Sequence, residues 1–184
     1  KGYGPATGRV QPEDIAASLP ALMKMPNVDS ILVTIPHKFV AFQHCRAAST
    51  RAQALGAINA MRRTANGDWF GDNFDGAGFV RGLGQEVGGR TAYMVGCGAA
   101  GSSIAVALLD AGIAQLRISD LDAGREARLL DLLDRTFPGR TAIGDGHLGP
   151  VDIVVNASSA GLNPSDPLPV PIGELTSGML VGDV

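Results

Sequence analysis

Two stretches of this chain carry residue types at spacings suited to chemistry. In "VTIPHK" (33–38) an apolar run ends at a proline and at once presents a histidine and a lysine. A lysine sits uneasily at the end of a buried strand, because its ammonium is strongly hydrated and its stem loses rotamer entropy when fixed. Either Lys38 snorkels to solvent, or the strand end aims it into a cleft. In "VGCGAAG" (95–101) the glycines follow a Gly96-x-Gly98-x-x-Gly101 pattern, directly after one strand-like run and at the opening of a helical one. In that context Gly96 permits a tight turn, Gly98 lets the backbone approach a pyrophosphate, and Gly101 allows close helix–strand packing. The helix start at Ala99 and Ala100 adds amide donors and positive potential. The chemistry implied is the binding of a dinucleotide.

Asp120 closes the next strand-like run, roughly 20 residues beyond the loop. A carboxylate there accepts hydrogen bonds from adenosine ribose hydroxyls and repels a 2′-phosphate, so NAD is expected in preference to NADP. Asp122 is a further acid, and Arg125, the only nearby base, falls within the following helix. Capping that helix is a fair alternative role for Asp122 and a weaker one for Asp120. Cys97 has no histidine close in sequence and reads as a small packing residue. His37 is about 100° from Lys38 on a new helix and is expected to face away from it. His44 and His147 lack partners that suggest ligation, so no metal is expected.

These residues need a frame. Residues 1–12 are rich in Gly and Pro and read as loop, and "PEDIAASLPALMKM" (12–25) has helical spacing with acids in its first turn. "DSILVTI" (29–35) predicts a buried strand, and 37–55 a helix with a break near Ser49-Thr50. Residues 57–73 predict a hairpin in which Asn66-Gly67 supplies positive φ angles. A short helix and a Gly-rich connection occupy 75–90, and the domain boundary is placed at 84/85. Beyond it, strands at 91–96, 115–120, 141–145, 151–158 and 179–184 alternate with helices at 99–112 and 123–136. That alternation implies a parallel sheet with right-handed crossovers. The expected fold class is α/β: a first domain over 1–84, then a Rossmann-type dinucleotide-binding domain over 85–184. The chain opens without Met and stops inside a strand-like run, so both domains are expected to be incomplete.

The composition narrows the classes of function. A chain of 184 residues holds one large domain or two small ones, and 25 glycines suit tight strand-to-helix turns. With 15 basic and 18 acidic residues the net charge is −3, which gives no basic surface for nucleic acid and no basic amphipathic stretch for a membrane. No apolar run reaches a transmembrane length. The two cysteines, Cys45 and Cys97, form neither a metal-spaced cluster nor a disulfide framework, and a reducing cytoplasm is the expected setting.

Three stretches of the first domain, "VTIPHK" (33–38), "LGAINAM" (55–61) and "GDNFDGAGF" (71–79), precede the glycine loop, and "DIVVNAS" (152–158) follows it. In that order they resemble the shikimate/quinate dehydrogenase family, whose members carry N-V-T-x-P-x-K, G-A-x-N-T, G-x-N-T-D-G-x-G, a glycine-rich loop and D-x-x-x-N-A-[ST]. The resemblance runs through nearly the whole chain from about residue 27. It implies a two-domain α/β enzyme that holds a cyclic hydroxy acid between its domains and moves hydride between a ring hydroxyl carbon and a nicotinamide. By position, Lys38 matches the catalytic lysine and Asp75 the aspartate paired with it. Thr34 and Asn59 match substrate-binding residues, while Asn156, Ala157 and Ser158 fall on the second dinucleotide-binding segment.

The chemistry is compatible with those roles. Oxidising a secondary alcohol removes its hydroxyl proton as hydride leaves, and a partly desolvated lysine held by a carboxylate and an amide can take that proton. Asp75 could equally be the acceptor, or serve as a helix cap, and Asn59 has a structural alternative in the hairpin. A lysine at a helix start opposes the dipole, which weighs against a merely solvated Lys38.

The sequence departs from the family pattern at Leu32, where the family has asparagine, and at Ala60 and Phe74, where it has threonine. Leu32 puts a buried apolar group in place of a polar substrate contact, which suggests an altered polyol pattern: quinate-like, aminoshikimate-like or outside that group. The competing expectation is a dinucleotide-binding sensor or regulatory protein without turnover, against which the retention of Lys38, Asn59 and Asp75 argues. The expected partners are the small-molecule acid and, at most, a second copy of the chain in a homodimer.

Overall fold

The computed structural model describes residues 12–34 and 36–184. The loop expected over 1–12 lies, up to residue 11, outside the described residues, as does Ile35. The chain divides into two compact units, Lys1–Phe74 and Asp75–Val184. That division comes before the expected boundary at 84/85, because helix Asp75–Gly82 packs along helix Ala99–Asp110.

In the first unit, helix α1 (Pro12–Lys24) leads to strand β1 (Ser30–Leu32), helix α2 (Lys38–Phe42), strand β2 (Ala47–Ala48), helix α3 (Thr50–Leu55) and strands β3 (Ala60–Arg63) and β4 (Trp69–Asp72). The sheet order is β1-β3-β4-β2, with β1 and β4 antiparallel to β3 and β2 parallel to β4. Leu19, Val33, Ala41, Ala52, Ile58, Met61 and Trp69 form the core. Arg63 lies over the Trp69 ring at 4.9 Å and donates to the carbonyls of Met23, Met25 and Val28, which ties the α1–β1 connection to β3.

Three local expectations need correction here. The strand expected as buried over 29–35 is a three-residue edge strand with an exposed–intermediate–exposed pattern. Its apolar run reflects one inward face and a free edge. Residues 37–55 do not form one helix. The chain leaves α2 to lay Ala47–Ala48 beside β4, and α3 restarts at Ser49, whose side chain accepts the Ala52 amide. In the hairpin Gly67 alone takes a positive φ, 87°, because the turn runs from Thr64 to Asp68 and is closed by Gly67 N to Thr64 O at 2.9 Å.

The second unit begins with helix α4 (Asp75–Gly82), then alternates β5 (Thr91–Val95), α5 (Ala99–Asp110), β6 (Gln115–Ser119), α6 (Ala123–Thr136) and β7 (Thr141–Ile143). It ends with β8 (Ile153–Asn156), a 3-10 turn at Ile172–Glu174 and β9 (Leu180–Asp183). All five strands are parallel, in the order β7-β6-β5-β8-β9. A parallel sheet buries both faces, which is why β8 is buried along its length and reads as a continuous apolar run. Met94, Ile104, Leu108, Leu116, Ile118, Leu133, Ile153 and Val155 anchor the core. Each such buried aliphatic or methionine side chain contributes roughly 1.5–3 kcal/mol. The chain runs outward from β5 through β6 to β7, then returns to β8 on the other side of β5. Open α/β sheets bind ligands at such a reversal, beyond the carboxyl ends of the strands.

Candidate functional site

The glycine loop occupies that reversal. Gly96 turns the chain out of β5 with φ 101°, a conformation strained for any side chain, and its amide donates to the Ser119 carbonyl at 2.8 Å. A Cβ on Gly96 would lie 2.5 Å from the Ala157 carbonyl carbon and from the Ser158 nitrogen, so the turns after β5 and β8 are in backbone contact. A Cβ on Gly101 would lie 1.9 Å from the Gly96 carbonyl oxygen, which seats the first turn of α5 on the loop. Gly98, the N-cap of α5, is different: a Cβ there would meet nothing within 4 Å. The N-cap Gly98 brings no side chain to cap α5, and the first-turn amides of Ala99, Ala100 and Gly101 lack an intrahelical acceptor. An open glycine backbone beside such amides suits a phosphate group.

Asp120 follows β6 immediately. Its Oδ2 accepts the Cys97 amide at 2.7 Å, and its Oδ1 accepts the Asp122 amide at 2.8 Å and Arg125 Nη2 at 3.1 Å. The side chain is 7% exposed. Burial pushes the carboxyl up, but the two amides and the Arg125 guanidinium outweigh it and hold the group below the usual carboxylate range. Asp122 is the cap of α6, accepting the amides of Gly124 and Arg125. Arg125 lies in the helix as its position in the sequence requires, and from there it folds back over both acids. Cys97 is buried, and burial together with the Asp120 and Glu126 charges pushes its thiol up to about 12, so it stays protonated and unreactive.

On the β8 side the Asn156 side chain is a bracket. Its Nδ2 donates to Asp183 Oδ1 at 2.8 Å and to the Ala160 carbonyl at 3.0 Å, while its Oδ1 accepts Ser158 Oγ at 2.6 Å and the Ser158 amide at 3.1 Å. Ala157 N donates to Val95 O at 2.7 Å. Gly96, Gly101, Asp120, Asn156, Ala157 and Ser158 are thus joined, directly or through one hydrogen bond, around the end of β5.

In the first unit, Lys38 opens α2 and is 7% exposed. A lysine so buried is not a solvated surface group. Thr34 is exposed, and its carbonyl takes the His37 amide at 2.9 Å in the turn that leads to Lys38. Asn59 knits three segments together. Its carbonyl accepts Val33 N at 2.8 Å, its amide donates to Asp72 O at 3.0 Å, and its Oδ1 accepts Phe74 N at 3.0 Å. Leu32, expected to be buried, pairs with Ala60 in the β1–β3 register and is 86% exposed, because it lies on the outward face of a strand at the end of the sheet. Asp75 is half-buried at the first position of α4, in the second unit.

One feature of this region has no signature in the sequence. Asp72 takes both Nε and Nη2 of Arg51 at 2.8 Å, along with the Ser49 hydroxyl and the Asn73 amide, and Arg51 stacks 4.7 Å from the Phe74 ring centre. Burial raises the Asp72 carboxyl, but these donors outweigh it and keep it low. Ser49 and Arg51 are more than 20 residues from Asp72 in the chain, and only the fold brings them to it.

No protein-family model matches the chain. Individual proteins do. Over 142 residues, 73% of this chain, it is 42% identical to the shikimate dehydrogenase (NADP(+)) of Xylella fastidiosa strain 9a5c, and it covers 49% of that protein. Over 183 residues, 95% of the chain, it is 34% identical to the shikimate dehydrogenase (NADP(+)) of Rubrobacter xylanophilus and covers 63% of it. This chain is similar to shikimate and quinate dehydrogenases. The solved quinate dehydrogenase from Corynebacterium glutamicum, in complex with NAD, superposes on 99% of the chain with a TM-score of 0.82 at 28% identity, over 66% of its own length. The likeness extends across both units, so the α/β architecture with its Rossmann-type parallel sheet is shared with that dehydrogenase. The chain spans about half the length of the Xylella relative.

Proposed function

We propose that this chain serves an oxidoreductase that uses a nicotinamide dinucleotide, NAD in preference to NADP, to oxidise reversibly a ring hydroxyl of a shikimate- or quinate-like cyclic hydroxy acid. In this reading the first unit binds the acid and the second the dinucleotide. The observation that carries it is the loop Gly96–Gly101, whose glycines bring the turns after β5 and β8 into backbone contact and leave Gly98 open. The residues present fit the cofactor: open backbone at Gly98, first-turn amides of α5 without an acceptor in their own helix for a pyrophosphate, and Asp120 for a ribose. Asn156, Ala157 and Ser158 line the second edge.

The preference for NAD rests on Asp120. Its carboxylate is ionised at neutral pH and pinned in place, and it would repel a 2′-phosphate while retaining acceptor capacity for a ribose hydroxyl. Arg125, the neighbouring cation, is engaged with Asp120 and Asp122. The names of the Xylella and Rubrobacter relatives specify NADP(+), and the Corynebacterium structure contains NAD, so the choice varies among similar proteins.

When bound, the nicotinamide supplies a hydride acceptor. The chain's own task is to place the alcohol and take its proton. Thr34 and Asn59 are proposed to hold the substrate, and Leu32 to meet it with an apolar surface where relatives have a polar contact. Lys38 Nζ is proposed to accept the hydroxyl proton with the Asp75 carboxylate holding the ammonium, or to orient the hydroxyl toward Asp75 as acceptor. Burial of Lys38 supports a functional over a solvated lysine.

The test is NADH or NADPH formation by the full-length protein offered shikimate, quinate and an amino-substituted analogue, each with NAD and with NADP. Turnover with NAD on one of them, lost in Lys38→Ala while dinucleotide affinity is kept, is the expected result. Dinucleotide binding without turnover on any of these alcohols would favour a sensor on the same fold.

A further inference from the structure

Helix α5 is apolar along most of its length, yet Ser103 sits within it at 4% exposure. A buried hydroxyl is tolerated where it satisfies a partner. Ser103 Oγ accepts the amide of Gly76 at 2.9 Å, and both residues are buried. Gly76 is in the first turn of α4, where amides have no acceptor within their own helix. One of those amides is therefore satisfied by a side chain from a different helix. The two backbones are also in direct contact: a Cβ on Gly76 would lie 2.0 Å from the Ser103 carbonyl oxygen and 2.8 Å from Ala107 Cβ. The distance of α4 from α5 is set by that contact, and the orientation of the Asp75–Gly76 peptide is set by the hydrogen bond.

We infer that Ser103 is a positioning residue for Asp75. The inference rests on the reading of Asp75 as part of the acid/base pair. The peptide whose N–H Ser103 holds is the one that joins Asp75 to Gly76, so its plane sets the direction in which the Asp75 side chain leaves the backbone. The same helix, α5, carries the glycine loop at its N-terminus. Ser103 thus places the carboxylate in register with the dinucleotide loop of its own unit. Loss of the hydroxyl leaves the backbone contact intact, takes the acceptor from the buried Gly76 amide and releases the peptide plane. Turnover should suffer much more than dinucleotide binding.

The test compares Ser103→Ala, Ser103→Cys and Asp75→Asn in the full-length protein. The measurements are kcat, its pH profile, dinucleotide Kd by NADH fluorescence, and thermal unfolding. Ser103→Ala should lower kcat on the order of tenfold, since sub-ångström errors in placing a reacting group are costly, with Kd within about twofold of wild type. The limb of the pH profile that Asp75→Asn removes should move in Ser103→Ala. Ser103→Cys, with a poorer acceptor of similar size, should fall between. Wild-type kcat and pH profile in Ser103→Ala, with Asp75→Asn impaired, would overturn the inference alone. Parallel loss of kcat, Kd and thermal stability in both Ser103 variants would make the residue structural and overturn it as well. Full activity in Asp75→Asn would overturn the reading of Asp75 and the inference with it.

Discussion

Asp120, at the end of β6, accepts the amide of Cys97 on its Oδ2 at 2.7 Å, so the acid and the glycine loop form one hydrogen-bonded unit. The residue proposed to choose the cofactor therefore also braces the loop that would hold it. Asp120→Ala should erode the preference for NAD. It should also cost about 1–3 kcal/mol, because the amides of Cys97 and Asp122 lose their acceptor. NADH and NADPH titrations, with urea unfolding alongside, separate the two effects. An unchanged ratio of affinities would remove Asp120 from the specificity argument.

Acid should unfold this protein in part through Asp72 and Asp120. Both carboxyls are held below their ordinary value in the folded chain, Asp72 by Arg51, Ser49 and the Asn73 amide, and Asp120 by two amides and Arg125, in each case against burial. A group with a depressed folded pKa contributes stability that is present above its unfolded pKa, about 3.9, and is lost as pH falls through the folded value. Urea midpoints should drop as pH falls below about 4. Asp120→Asn should be less stable at neutral pH and should show a shallower acid decline. A midpoint equally pH-dependent in wild type and variant would show that Asp120 adds nothing to the acid limb.

Two glycines of one loop should respond differently to the same substitution. Gly101→Ala places a methyl 1.9 Å from the Gly96 carbonyl oxygen and should cost at least about 1–3 kcal/mol as the backbone shifts. Gly98→Ala meets nothing within 4 Å, and Gly98 has an extended φ of −73°, so unfolding should stay within about 0.5 kcal/mol of wild type. Dinucleotide affinity should fall in both, since Gly101→Ala displaces the loop and the added methyl at Gly98 enters the open space proposed for the pyrophosphate. A Gly98→Ala protein that binds NADH as well as wild type would place the phosphates elsewhere.

Leu32 is 86% exposed at the end of an edge strand, so Leu32→Asn should be nearly neutral for folding. If Leu32 faces the substrate, the added amide should raise kcat/KM for shikimate relative to a less hydroxylated analogue, by up to about tenfold for one new hydrogen bond. Competition between the two substrates measures the shift directly. An unaltered ratio would mean that the side chain does not reach the ring.

The helix Ala123–Thr136 and the strands and helix flanking the glycine loop could be read closely from the sequence because each depends on a local period. A β-branched run marks β8, short apolar stretches bounded by turn residues mark β5 and β6, and apolar spacing with an Asp122 cap marks α6. The glycine pattern was legible for the same reason, since its demands on φ and on close approach fall within seven consecutive residues. The first unit was harder. β2 has only two residues and exists because β4 lies beside it. β1 is exposed because it takes the sheet edge, and Asn66 keeps a negative φ because the turn is longer than a two-residue loop.

The sequence alone therefore determined the α/β class and the glycine loop at the end of β5, and it offered the residues proposed for proton transfer. These depend on residue type and short spacing. Tertiary structure decided that Lys38 is buried, that Arg125 turns back onto Asp120, that Asp72 gathers Arg51 and Ser49, and that Ser103 holds the peptide after Asp75. Each of these depends on which segments meet, several of them far apart in the chain. No periodicity within a segment encodes what another segment places beside it.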